Sequence, residues 1–181
     1  MKGRTLLNHQ ALSHTLDRLA YEVYEQHTDF ENLAFVSLQP RGVELGERIV
    51  GQLRKLEPNQ KILHGKLDVT FYRDDFRRRE EMLVPSSTEM DFSIEGKEII
   101  LIDDVLFTGR TVRSGLDALL DFGRPKHVEL LVLIDRRFSR ELPVQPDYTG
   151  RIVDVVQEER VKVEWSKDNA NNRVTLFSED Q

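Results

Sequence analysis

The chain has 181 residues, with 26 Lys and Arg against 32 Asp and Glu, a formal net charge of −6 and no Cys. That length suits one domain, 1–181, that buries its own core, and a chain without Cys has no disulfides, no thiolate chemistry and no Cys-based zinc. The negative balance gives no general attraction to nucleic acid, and with no long apolar run near the start neither a signal peptide nor a membrane span is expected, so the reading is a cytoplasmic protein.

In chain order, Leu6 to Gln26 carries Leu12, Leu16, Leu19, Ala20 and Val23 at helical spacing and predicts an amphipathic opening helix. Leu33 to Ser37 reads as a short buried strand. It stops at Gln39-Pro40-Arg41-Gly42 before a second helix with Val43, Leu45, Gly46, Ile49, Val50 and Leu53. Ile62 to Phe71 predicts another strand with Leu67, Val69 and Phe71 on one face, ending in Tyr72-Arg73-Asp74-Asp75. Phe76 to Glu95 is polar and aperiodic, and so long a loop suggests a lid.

Glu98 to Ile102 is apolar without alternation beyond its first residue, as a parallel strand buried on both faces requires. Asp103 and Asp104 then fall at its carboxyl end, where open α/β sheets bind ligands. Thr108-Gly109-Arg110-Thr111 precedes a helix over Val112 to Phe122, so backbone N–H groups, hydroxyls and a positive helix end converge on an anion. Gly123-Arg124-Pro125 ends that helix, and Val128 to Ile134 is a further apolar strand leading into Asp135-Arg136-Arg137-Phe138. Strands alternating with helices predict an α/β parallel sheet, while the tail segments Ile152 to Val156, Val161 to Trp165 and Val174 to Phe177 read as a small β appendage.

No P-loop is present, since Gly109-Arg110-Thr111 lacks the Lys, and no GxGxxG follows a strand. His9, His14, His27, His64 and His127 show no metal-ligand spacing, and no internal repeat is visible.

Residues Ile99 to Thr111 resemble the phosphoribosyl pyrophosphate (PRPP) motif of type I phosphoribosyltransferases: four apolar residues, two acids, then a Thr/Gly loop. Arg41-Gly42, Leu67 to Asp75, Asp103 to Arg113, Gly123 to Pro125 and Arg140 to Pro143 with Asp147, Tyr148 and Gly150 extend the resemblance to the PyrR family over most of 5–165. That family joins uracil phosphoribosyltransferase activity to regulation of pyrimidine operons. The resemblance implies the type I phosphoribosyltransferase fold, a central twisted parallel sheet flanked by helices (core about 30–137), with a small β-rich hood from the N-terminal segment and about 138–181. It further implies that uracil and PRPP give UMP and pyrophosphate with Mg²⁺, in a homodimer or higher homo-oligomer.

On that reading Asp103 and Asp104 act at the ribose and with the PRPP-borne Mg²⁺, alternation leaving open which of them meets the diol. Arg41, Gly42 and Arg73 join Val105, Leu106, Phe107, Thr108, Gly109, Arg110 and Thr111 in binding PRPP. Asp135, Arg136, Phe138, Arg140 and Val161 surround the nucleobase. Two alternatives stand beside this: a purine phosphoribosyltransferase, and a non-catalytic nucleotide-sensing RNA-binding regulator.

The chain departs from the family at Gln39-Pro40, at Arg137-Phe138-Ser139 and on the opening helix at Asp17 and Tyr21. Between Asp135 and Arg151, Arg136, Arg137, Arg140 and Arg151 face Asp135, Glu141 and Asp147, so leader RNA is expected to bind weakly.

Overall fold

A computed structural model describes residues 2–73, 86–155, 159–167 and 169–178. Its centre is a five-stranded sheet of β2 (Leu33–Leu38), β3 (Leu63–Leu67), β4 (Glu98–Leu106), β5 (His127–Arg137) and β6 (Tyr148–Asp154). The strands lie in the order β3-β2-β4-β5-β6, each paired in parallel with its neighbour. Alternation within the apolar runs divides the core between the two faces. Leu33, Phe35, Ile100, Ile102, Leu131 and Leu133 meet α1 (His9–Gln26) and α2 (Gly42–Leu56), whereas Ala34, Val36, Ile99, Leu101, Leu130 and Val132 meet α3 (Arg110–Leu120). Each of these twelve side chains therefore packs in an apolar layer, worth about 1.5–3 kcal/mol when fully buried. The type I phosphoribosyltransferase-like α/β arrangement expected from the sequence is present.

Three elements differ from the sequence reading. Asn8 caps α1 by accepting from the Ala11 N–H at 2.9 Å, so the helix begins at His9. Leu6 and Leu7 instead belong to β1 (Lys2–Leu7), which pairs antiparallel with β8 (Arg173–Ser178). The expected strand over Ile62 to Phe71 stops at Leu67. The Asp68 carboxylate accepts from the Thr70 N–H (3.0 Å) and hydroxyl (2.6 Å), turning the chain into a 3-10 turn, and Phe71 is left 66% exposed. Finally, Ile152 to Asp154 lie in the central sheet as part of β6, not in the β appendage. Tyr148 and Val153 face the core, and Gly150 lies flat against the Leu133 carbonyl, where a Cβ would collide.

The small second sheet, ordered β1-β8-β7, is antiparallel and includes β7 (Glu159–Glu164). Half of the loop read as a lid, residues 76–85, lies outside the described residues. Its returning limb is described: Glu89 and Lys66 exchange two backbone hydrogen bonds of 2.8 Å. Among the described residues no helix is long and apolar enough to cross a membrane.

Under α2, Gly46 leaves room for a Ser37 hydroxyl to His64 Nε2 contact of 2.8 Å. Burial, with the Arg54 charge beside it, pushes the His64 imidazole down to about 4, from an ordinary 6.5. The neutral ring is the native form, so its contribution to stability is complete above the unfolded pKa near 6.5 and is lost as pH falls toward 4. Thermal midpoints of His64→Gln should therefore decline less steeply than wild type across that window. Parallel declines would show that His64 does not govern it.

Candidate active site

The expected strand over Glu98 to Ile102 runs on to Leu106, paired with β5, so Asp103 and Asp104 lie within β4 just past Ile102, where its pairing with β2 stops, and are only 5% and 7% exposed. Asp103 Oδ1 accepts the Asp104 N–H at 3.0 Å. Burial first, and the Asp104 charge next, hold the Asp103 carboxyl well above its usual pKa, opposed by the positive fields of Arg41 and Arg73. Burial also raises Asp104, again against Arg41. The pair is thus short of positive charge and suited to a ligand that brings some.

On one side lies the turn after β2. Gly42 opens α2 so close to β4 that a Cβ would sit 3.3 Å from Asp103 Cα and press into the Ile102 carbonyl oxygen. This contact sets Arg41 beside the acid pair. Gln39 donates its amide to the Ser87 carbonyl (2.7 Å), joining the turn to the limb returning along β3.

On the other side, β4 runs into a loop that ends at Gly109, whose φ of 89° is left-handed and natural to glycine. Glu141 and Leu142 donate their N–H groups to the Thr108 carbonyl at 3.0 and 3.1 Å, and Arg110 pairs with Glu141 at 2.6 Å. The first turn of α3 holds Thr111 and carries no acidic residue; the Thr108 hydroxyl accepts the Arg110 N–H at 3.3 Å, and the Thr111 and Val112 N–H groups, which have no intrahelical acceptor, face an anion. Val105 packs toward the α1/α2 core and Leu106 toward the α3 core, leaving their backbones rather than their side chains for a ligand.

The end of β5 forms the third wall. Asp135 pairs with Arg140, which also donates to the Phe107 carbonyl. Arg136, 5% exposed, donates to the Glu159 carbonyl (2.9 Å) and lays its guanidinium 3.9 Å from the Phe107 ring centroid. Loop, β5 and β7 are thereby linked. Phe138 is 84% exposed, with Arg137 5.5 Å from its ring, and Val161 lies in β7 against the α1/α2 core.

Asp103, Asp104, Arg41, Gly42 and the field of Arg73 thus converge, and Phe107, Asp135, Arg136 and Arg140 form one network. The partnership of Gln39 with Ser87 and the carbonyls of Thr108 and Glu159 escaped the sequence reading. Backbone acceptors chosen by long-range packing leave no local signal.

Residues 3–166 match the phosphoribosyl transferase domain family. The bifunctional protein PyrR of Caldicellulosiruptor bescii is 43% identical over 175 residues, covering 97% of this chain and 95% of that protein. The bifunctional protein PyrR of Elusimicrobium minutum is 41% identical over 168 residues, or 93% of each. Among solved structures, a hypoxanthine-guanine-xanthine phosphoribosyltransferase superposes with a TM-score of 0.67 at 16% identity, covering 98% of this chain and 94% of the other, a likeness of fold alone.

Proposed function

Because the chain belongs to the phosphoribosyl transferase domain family and, within it, to the PyrR proteins, we propose that it transfers the ribose 5-phosphate of PRPP to uracil, forming UMP and pyrophosphate. The observation that carries this reading is the buried acid pair between the Gly42 turn and the acid-free start of α3. In the reaction the C1–oxygen bond to pyrophosphate breaks, uracil N1 bonds to C1, and the N1 proton leaves. Positive charge grows on the ribose ring, so Asp103 and Asp104 accept from its hydroxyls and favour that charge. Thr108 to Thr111 hold the 5-phosphate on backbone amides and hydroxyls, and Arg41 with Arg73 receives the pyrophosphate. The Asp135–Arg140 and Arg136–Phe107 pairs bound the base.

Magnesium fits here as an ion carried by the substrate. It takes oxygen ligands and is commonly shared between one or two carboxylates and phosphates, which Asp103 and Asp104 with PRPP provide. Among the described residues no set of three or more His, Cys, Asp or Glu could hold a metal by itself. When bound, the ion supplies positive charge that the acid pair lacks.

Initial rates with PRPP and each of uracil, hypoxanthine, guanine and adenine test the assignment. Uracil is expected to lead by at least about tenfold, roughly 1.4 kcal/mol in the transition state. A faster purine would replace the proposed substrate.

We place the reaction in the cytoplasm, in keeping with a chain that has no Cys. A homo-oligomer is the expected assembly, with Tyr21 and Ile152 each 53% exposed on α1 and the edge strand β6; a sedimentation mass of one chain would refute it. Weak binding of leader RNA follows from how the cations beside that edge are used. Arg18 donates to the Thr149 and Gly150 carbonyls, Arg137 pairs with Asp154 at 2.7 Å, Arg140 with Asp135, and Arg151 donates to the Leu6 carbonyl. Tight specific sites draw on many phosphate contacts. Titration with the leader of its own operon should give a dissociation constant above micromolar at about 150 mM salt, with or without UMP; a sub-micromolar, UMP-dependent value would contradict this.

A further inference from the structure

Away from the acid pair, α1, α2 and the chain that follows β7 line a half-open cleft of about 310 Å³. It is small for a ligand pocket but of metabolite size. A Cβ on Gly51 would meet nothing within 4 Å, so this glycine leaves the α2 wall open. Leu12 and Leu16 supply an apolar side, and the charged groups come chiefly from α2.

Arg48 and Lys55 stand two turns apart on one face of α2, and both line the cavity. A chain with a net charge of −6 thus places two cations together at a point that the proposed transfer reaction does not use. The Arg48 guanidinium lies 4.6 Å from the Trp165 ring centroid and donates through Nη2 to Asn169 Oδ1 at 2.5 Å. Its Nε is buried and has no hydrogen-bond partner among the described residues. Arg48 Nη2 also lies 3.3 Å from Glu44, a half-exposed carboxylate one turn back on α2, and so solvent-screened a pair leaves the guanidinium able to take an oxygen anion from the cleft.

Lys55 is lightly committed, its ammonium 3.0 Å from Gln52 Oε1. Gln52 in turn donates to Asp17 at 2.6 Å, which with Glu44 puts two carboxylates beside the two cations, Asp17 being the one that lines the cleft. A guanidinium, an ammonium and side-chain amides beside a leucine wall match the chemistry of a phosphate ester on a small organic body.

We propose that this cavity is a second anion site, which binds the phosphate group of a small phosphomonoester through Arg48 and Lys55. The site stands apart from the proposed transfer site and does not depend on that assignment.

Trp165 is the chain's only Trp and lies under Arg48, so its emission reports on the cavity. Titrating the intact protein with inorganic phosphate and with ribose 5-phosphate should change that emission saturably, with half-effects at about millimolar or below, and sodium chloride at equal ionic strength should not. In Lys55→Gln the half-effect should move up about tenfold, and in Asp17→Asn it should move down because a repelling carboxylate is gone. Thr111→Val should titrate as wild type. Circular dichroism confirms that each variant is folded. A linear response, an equal response to chloride, or a Lys55→Gln titration matching wild type overturns the proposal and leaves a water-filled cavity. A response lost in Thr111→Val but kept in Lys55→Gln overturns it as well, by placing the anion at the start of α3.

Discussion

Replacing both acids, Asp103→Asn with Asp104→Asn, is expected to lower kcat/KM for PRPP by about 10²-fold or more while raising the melting temperature of the ligand-free protein at neutral pH. The two effects share one cause. Burial lifts both carboxyls above the ordinary value of 3.8, so the fold favours their protonated forms. A group whose pKa is raised on folding contributes its full stability below its unfolded pKa and loses it as pH rises through the folded value. Above the ordinary carboxylate range the pair therefore weighs against the native state until a cation-bearing ligand arrives, and Asn, which cannot ionise, is free of that burden. A gain of about 1 kcal/mol would read as roughly 2–4 °C in a chain of this size. Calorimetry from pH 7 downward should show the advantage shrinking as the wild-type carboxyls protonate. Activity within a few-fold of wild type would remove the acids from the reaction. A lower melting temperature at neutral pH would mean that their charged forms are stabilised by the fold.

Gly42→Ala should damage the fold and the site together. The new Cβ would press into the Ile102 carbonyl oxygen and stand 3.2 Å from Ile102 C and 3.3 Å from Asp103 Cα, all backbone atoms that no rotamer change can move. Relief requires α2 to lift from β4, at about 1–3 kcal/mol for an overpacked site. The same displacement separates Arg41 from Asp103, and an error of about 1 Å in a reacting geometry can reduce rate by about 10²-fold. By contrast, Gly51→Ala on the same helix enters open space and should raise the melting temperature, since Ala favours a helix interior over Gly by about 1 kcal/mol. Equal stability of Gly42→Ala and wild type, with unchanged KM for PRPP, would show that the close approach at Ile102 is not needed.

The acid pair was legible in the sequence because its cause is local. A β-branched and Leu run without alternation suits a strand buried on both faces, and the small residues after it fit a turn that opens a helix, so Asp103 and Asp104 were placed toward the ligand-binding end of the sheet, although β4 itself continues to Leu106. The helices α1, α2 and α3 were visible for the same reason, since each carries its apolar stripe within its own span. Their ends were less so: Asn8 could cap α1 only because Leu6 and Leu7 had been taken by β8, a strand at the far end of the chain. Tertiary structure alone decided that β6 joins β5, that Phe71 turns outward behind the Asp68 turn, and that Arg136, Arg137, Arg140 and Arg151 are spent on Glu159, Asp154, Asp135 and Leu6. A helix satisfies its backbone with neighbours a turn away, but a strand edge or a guanidinium takes whichever acceptor the fold brings near, and that choice is made between residues the sequence keeps far apart.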